Sequence, residues 1–195
     1  MTARAPTPVL VHADESCLGN RSDVPSPGGN GALIEFRAGD SVARFDFFDC
    51  SPATTNNRMA LAGAIAALEW IRRQWQHARL LYVSDSEYLV KGMSEWLPGW
   101  KARGWRRKGG AIENLELWQK LDQAAQAHEV HWEWVRGHAD TAKNEYADFL
   151  AHRAAERQER SNGLVPSQLE TWLKGEQTRG RFVELDPDRE IYERL

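Results

Sequence analysis

Cysteine is scarce: Cys17 and Cys50 are the only two in 195 residues. Two thiols cannot build a disulfide framework, and they suit a reducing compartment. Long apolar runs are missing as well. Met1 to Ala13 carries one arginine and a short apolar stretch, too little for a signal peptide or a membrane span. A cytoplasmic protein with no membrane partner is expected. Excess charge of one sign is also lacking, because 25 Lys and Arg against 28 Asp and Glu leave a net charge of −3. General basicity therefore cannot supply nucleic-acid affinity; a local patch would be needed. What is present, 42% hydrophobic and 27% charged residues without an internal repeat, fits one soluble globular domain with a short appendage. A monomer is expected.

Periodicity gives the outline. Val9 to Ala13 reads as a central strand buried on both faces, stopping at Asp14. Ser16 to Gly31 is rich in Gly, Ser, Pro and Asn and reads as a long loop. Gly31–Phe36 and Ser41–Phe48 form a hairpin across Arg37–Asp40, with Ala43, Phe45 and Phe47 alternating against Arg44 and Asp46. Leu61, Ile65, Leu68, Ile71 and Trp75 mark a helix over Arg58–Gln76. Leu80–Val83 is a second apolar strand. Helices are expected at Ser86–Leu97 and Asn114–His128, a strand at Val130–Val135, and a closing helix at Lys143–Arg160. Alternating strands and helices argue for an α/β or α+β sheet with parallel crossovers. Ser161–Gly163 marks a boundary before a polar tail, whose Leu169, Trp172 and Leu173 can dock a short helix.

One more absence is local. From Arg58 to Leu68 there is no carboxylate, although Thr54, Thr55, Asn56 and Asn57 give the helix more polar groups than a cap needs. Carboxylates occur instead at strand ends. Asp14 and Asp85 each follow an apolar strand, where ligands gather in open parallel sheets. If these strands are neighbours the two acids face each other, and a hard cation such as Mg²⁺ or Mn²⁺ would relieve their repulsion. The plainer alternative is turn chemistry, with Ser84 as N-cap and Glu87 closing a capping box. Asp148 lies at the edge of the closing helix's buried stripe, and His138 sits between Gly137 and Ala139 in an exposed loop. The connection from Trp96 to Lys108 carries five cations, Lys101, Arg103, Arg106, Arg107 and Lys108, with no acid. Trp96, Trp100 and Trp105 interleave with them, a composition suited to phosphates and to sugar and base faces. The alternative is a solvated corner whose tryptophans pack on the core.

Taken in order, DESCLGN (Asp14–Asn20), PGGNGALI (Pro27–Ile34), TTNNRM (Thr54–Met59), SDS (Ser84–Ser86), the Trp96–Trp105 segment, LWQ (Leu117–Gln119), WEWVRGH (Trp132–His138) and NEYAD (Asn144–Asp148) resemble bacterial-type ribonuclease H. The resemblance covers roughly Pro8 to Glu156. It implies an α/β, RNase H-like fold, a five-stranded mixed sheet flanked by helices, and a metal-dependent endonuclease that cuts the RNA strand of RNA–DNA hybrids. By the same resemblance, Asp14, Asp85 and Asp148 are metal-binding catalytic aspartates on two Mg²⁺ ions, and His138 is the mobile histidine. Asn20, Asn56 and Asn57 touch the hybrid's minor groove, Thr55 contacts a DNA phosphate, and the Trp96–Lys108 segment grips the DNA strand. The implied domains are an N-terminal extension at 1–7, the RNase H domain at 8–160 and a C-terminal extension at 161–195.

The resemblance also implies a glutamate at position 60, where this chain has Ala60. Loss of that ligand would weaken one of two cations that stabilise the attacking and leaving oxygens, impair cleavage, and favour Mn²⁺ as a substitute. Glu69 is nine residues along the same helix, roughly 13.5 Å at 1.5 Å rise, and cannot replace it. Glu15 and Glu87 stand where the family has glycine and glutamine, and either could partly supply the carboxylate. Strand alternation turns Glu15 away from Asp14 unless the strand has ended. Three readings stay open: an alanine introduced to trap substrate, a natural variant with altered metal use, and a binding module that grips hybrids without cutting.

Overall fold

The computed structural model describes residues 6–19, 25–137 and 141–195. Among these, a six-stranded sheet runs in the order β5-β4-β1-β2-β3-β6. Its strands are β1 (Thr7–Cys17), β2 (Ser26–Ala38), β3 (Ser41–Thr54), β4 (Ala78–Ser84), β5 (Glu129–Trp134) and β6 (Val165–Pro166). β1, β2, β3 and β6 pair antiparallel, whereas β4 runs parallel to both β1 and β5. The expected five-stranded mixed sheet is thus present with one short addition. β6 comes from the tail and covers the otherwise open edge of β3, the usual liability of an edge strand.

The helices are α1 (Asn56–Trp75), α2 (Glu87–Lys91), α3 (Leu97–Ala102), α4 (Leu115–Ala125), α5 (Ala142–Arg157), α6 (Leu169–Thr178) and α7 (Arg189–Arg194). None is long and apolar enough to cross a membrane. α1 lies on one sheet face, where Leu61, Ala64, Leu68 and Ile71 pack with Val9, Val11 and Ile34. α5 lies on the other face, where Tyr146 and Leu150 meet Leu33. Between α2 and α3 the chain makes a π-helical turn, Gly92–Trp96, in place of a continuous helix. Gly92 sits under the Trp118 ring, and a Cβ there would lie 1.9 Å from a ring carbon.

Two expectations about strands are corrected. β1 does not stop at Asp14 but continues to Cys17, and the Gly-rich segment before Gly31 is strand β2 from Ser26 onward. The glycines serve close packing here. A Cβ on Gly29 would come 2.3 Å from the Ala151 carbonyl, and one on Gly31 2.5 Å from that of Ala147. Without side chains at these positions α5 can lie directly on β2, which brings its N-terminal turn beside Asp14.

The tail docks. Leu169 and Leu173 are buried, and Trp172 packs on Tyr146 with ring centroids 5.4 Å apart. α7 then crosses the sheet face and lowers Glu190 into a buried ionic group. Glu35 is fully buried and pairs with Arg44 and Lys143, both at 2.8 Å. Glu190 pairs with Lys143 and with His12, both at 3.2 Å. Burial alone would raise the Glu190 carboxyl, but the His12 hydrogen bond and charge, with Lys143, hold it well below the usual range. Breaking such a group by removing one partner is strongly destabilising, because it leaves uncompensated buried charge. Lys143→Ala is therefore expected to lower unfolding stability by about 3 kcal/mol in urea titration. A change within about 0.5 kcal/mol, typical of a surface site, would show that the ion group contributes nothing.

Candidate active site

The site forms where two parallel strands end out of step. The β1–β4 ladder closes with Ala13 opposite Ser84, after which β4 turns into Asp85 while β1 runs on. Asp14 and Glu15 thus project past the end of the neighbouring strand. Oxygens of Asp14, Glu15 and Asp85 lie within 4.8 Å of one another. Alternation does put Asp14 and Glu15 on opposite faces, but beyond the end of β4 both side chains can bend round the open edge towards Asp85. β1 is still paired with β2 at Asp14 and Glu15, so alternation holds; the two side chains approach Asp85 from opposite faces, round the edge that β4 leaves open.

Glu15, Asp14 and Ala60 line one small cavity of ≈ 10 Å³, together with Asn30, Gly63, Tyr82 and Ser84. Ala60 is buried one turn inside α1, so its short side chain and Glu15 from β1 border the same space. Glu87 does not substitute: it is exposed and pairs with Lys91 at i+4. The expected capping box is also absent. Ser86, not Ser84, is the N-cap of α2, and the Ser84 hydroxyl accepts from the Ser86 amide at 3.1 Å.

The electrostatics of this cluster are those of acids that a cation would relieve. Burial first, then the charges of Asp85, Glu15 and Asp148, push the Asp14 carboxyl up to about 9. Burial and the Asp85 charge push Glu15 up to about 8, against a hydrogen bond from Ser86 that lowers it. The Glu15 amide donates to Asp14 Oδ1 at 2.6 Å, and Asn144 Nδ2 donates to Asp14 Oδ2 at 3.2 Å. Carboxylates this close cannot all ionise unless positive charge lies among them, and an all-oxygen donor set suits a hard divalent cation. Asp148, on α5, is half-buried and falls outside the 4.8 Å group, although its charge reaches Asp14. Gly137 passes close to Asp85, since a Cβ on it would lie 2.5 Å from Asp85 Oδ2. His138 and Asn20 lie outside the described residues.

A groove of ≈ 530 Å³ opens at the N-terminus of α1, lined by Cys17, Thr55, Asn56, Asn57, Arg58 and Asn114 among others. Thr55 is the N-cap, its hydroxyl accepting from the Arg58 amide at 3.4 Å, so Asn56 and Asn57 occupy the first helical turn and not a loop. Arg58 bridges to Asn114 and Glu116, both at 3.0 Å, which ties α1 to α4 across the groove. In the basic segment the cations and tryptophans separate. Arg103, Arg106, Arg107 and Lys108 are exposed and Lys101 pairs with Asp122 at 2.8 Å. Trp100 is buried, packing on Trp118 and Trp96 with centroids 5.5 and 5.9 Å apart. Trp96 and Trp105 are half-buried against the same core. The expectation that Trp100 faces nucleic acid is corrected: its ring packs into the core against Trp118, as in the alternative of tryptophans packed on the core.

Sequence reasoning left Glu15 open beside Glu87 and did not single out Asn30 or Asn144, which the structure places beside Glu15 and Asp14. The signal for Glu15 was available as a paired oddity, an acid gained beside Asp14 and an acid lacking at position 60. The raised carboxyls carry a sign. Their folded-state values lie above the ordinary 3.8 and 4.5, so the metal-free fold is favoured by protonation. That stability is fully present below about pH 4 and is lost as pH rises through about 8 to 9. The unfolding midpoint of metal-free protein should fall between pH 5 and pH 9, and Mn²⁺ should raise it more at pH 9 than at pH 5. Equal Mn²⁺ effects at both pH values would contradict a carboxylate cluster that must ionise to hold the ion.

Comparison with known proteins accords with this arrangement. The RNase H family model matches residues 6–156. The Ribonuclease H of Syntrophotalea carbinolica is 45% identical over 147 residues, 75% of this chain and 90% of that protein. That of Aromatoleum aromaticum is 43% identical over 158 residues, 80% of this chain and 96% of its own length. Among solved structures, LC9-RNase H1, described as a type 1 RNase H with the type 2 active-site motif, superposes with a TM-score of 0.82 at 48% identity. That match covers 88% of this chain and 82% of the other. With the family model matching residues 6–156 and relatives 43–45% identical over most of its length, the chain belongs to the ribonuclease H family.

Proposed function

We propose that this chain is a divalent-metal-dependent endonuclease that cuts the RNA strand of RNA–DNA hybrids, with Glu15 supplying the carboxylate that Ala60 lacks. The observation that carries the reading is the shared cavity: Glu15 and Ala60 line it together, and Glu15 reaches Asp14 and Asp85 within 4.8 Å. Impairment is what helix α1 considered alone suggests; with Glu15 included the acid set is complete. The description of LC9-RNase H1 as combining one type of RNase H with another type's active-site motif supports an altered set on the same fold.

In this reading Asp14, Glu15 and Asp85 would hold the cation, with Asp148 near enough to complete a second position. Mg²⁺, or Mn²⁺ in its place, would supply an activated water and charge stabilisation for the leaving oxygen. The chain's own groups do the rest. Asn144 and the Glu15 amide fix both oxygens of Asp14. Asn56 and Asn57 lie three to four residues before Ala60, about one helical turn or 5–6 Å along the axis, so what they touch lies next to the carboxylates. Neutral amides there suit the minor groove of a hybrid, where 2′-hydroxyls separate RNA from DNA. Arg103, Arg106, Arg107 and Lys108 suit the phosphates of the DNA strand.

Cleavage of hybrid and of double-stranded DNA should be compared for the chain, Glu15→Gln and Ala60→Glu. The chain should cut the hybrid and spare the DNA duplex. Glu15→Gln should slow cleavage a hundredfold or more, about 2.7 kcal/mol. Ala60→Glu should bring no gain, because a second acid enters a space Glu15 already fills. Glu15→Gln cleaving at the parent rate would overturn the assignment.

A further inference from the structure

We propose that Asn30 is the positioning residue for Glu15: its side-chain amide holds the glutamate carboxylate in the orientation that faces Asp85. The proposal rests on the reading of Glu15 given above. Four observations carry it. Asn30 stands directly opposite Glu15 in the antiparallel β1–β2 ladder, so the two side chains share one sheet face as a cross-strand pair. Directly opposed residues have Cβ atoms about 4.5–5.5 Å apart, within reach of an amide and a carboxylate.

Both residues line the same small cavity with Ala60 and Gly63. α1 gives up a side chain to admit the amide, since a Cβ on Gly63 would lie 2.8 Å from Asn30 Cβ and Cγ. Finally, Asn30 is only 4% exposed and its Oδ1 has no hydrogen-bond partner among the described residues. An amide buried between a helix and a sheet with an unmet carbonyl is costly, and an apolar residue would pack there at no such cost. The group it serves must be polar and close.

Asp14 does not need it, being held by Asn144 and by the Glu15 amide. Glu15 has one side-chain hydrogen bond, from Ser86, leaving acceptor capacity on a carboxylate with three torsions to restrain. The two amide ends are interchangeable in shape, so the end left without a partner can equally be Nδ2, a donor suited to a carboxylate across the ladder. A neutral donor is the suitable choice among crowded acids. Aspartate would add repulsion, and lysine or arginine would compete with the cation.

Mn²⁺ affinity by calorimetry and hybrid cleavage should be measured for the full chain, Asn30→Leu, Glu15→Gln and the double variant, with Asn30→Ala as a second, smaller replacement. Asn30→Leu is expected to weaken Mn²⁺ binding and lower kcat by about tenfold each, with the hybrid KM unchanged. Its unfolding midpoint should stay level or rise, which a structural filler would not give. In the Glu15→Gln background the same change should have no further effect on Mn²⁺ affinity, because the group it positions is gone. Asn30→Ala should show the same pattern if Asn30→Leu disturbs folding. Unchanged Mn²⁺ affinity in both Asn30 variants would overturn the proposal, and so would an equal loss with and without Glu15. If the parent chain cuts no hybrid, the assigned activity falls, whereas the Mn²⁺ cycle still reads the coupling between Asn30 and Glu15.

Discussion

The active site depends on one mismatch of strand length. β1 and β4 pair in parallel up to Ala13 and Ser84, and then β1 continues to Cys17 without a partner on that side. That step places Asp14, Glu15 and Asp85 round a single open edge. Were β4 as long as β1, its backbone would fill that edge and keep the carboxylates on the two faces apart. The glycines of β2 complete the arrangement from the other side. Because Gly29 and Gly31 let α5 lie on the sheet, Asn144 reaches Asp14 and the Asp148 charge is felt there.

The same geometry explains how a carboxylate can change its address without changing its place. Position 60 on α1 and position 15 on β1 belong to elements packed face to face, and their side chains enter one cavity. An acid offered from the sheet can stand where one offered from the helix would stand, provided the helix side is kept small. Ala60 and Gly63 keep it small, and Asn30 occupies part of the space that results. Three neighbouring positions are thus consistent with one relocated group, which is a stronger pattern than any of them alone.

Much of this was legible in the sequence, for reasons that can be named. Asp14 and Asp85 could be placed because apolar runs end at them. α1 could be placed because its apolar stripe has period 3.6, and the docked tail because Leu169, Trp172 and Leu173 share one helical face. Glu15 was left open as a partial replacement, since alternation turns it away from Asp14 and the sequence does not say where the neighbouring strand stops. The glycines of β2 looked like loop residues because composition cannot distinguish a flexible glycine from one that admits a helix. For Trp100 both contact with nucleic acid and packing on the core were open, because its basic company favours the first and the sequence does not show that Trp118 meets it from α4. The ionic group brings Lys143 and Glu190 from distant segments onto the cross-strand pair Glu35–Arg44, and their joining it leaves no local trace.

The central claim is that Glu15 is a metal ligand in the place of a glutamate at position 60. Anomalous diffraction from crystals of the chain grown with Mn²⁺ tests it most directly, because it locates the ion without reference to activity. The account predicts an anomalous peak with Asp14, Glu15 and Asp85 oxygens in direct coordination, at the roughly 2.0–2.2 Å typical of small hard divalent ions. A Mn²⁺ peak coordinated by Asp14, Asp85 and Asp148 with the Glu15 carboxylate turned away would contradict it.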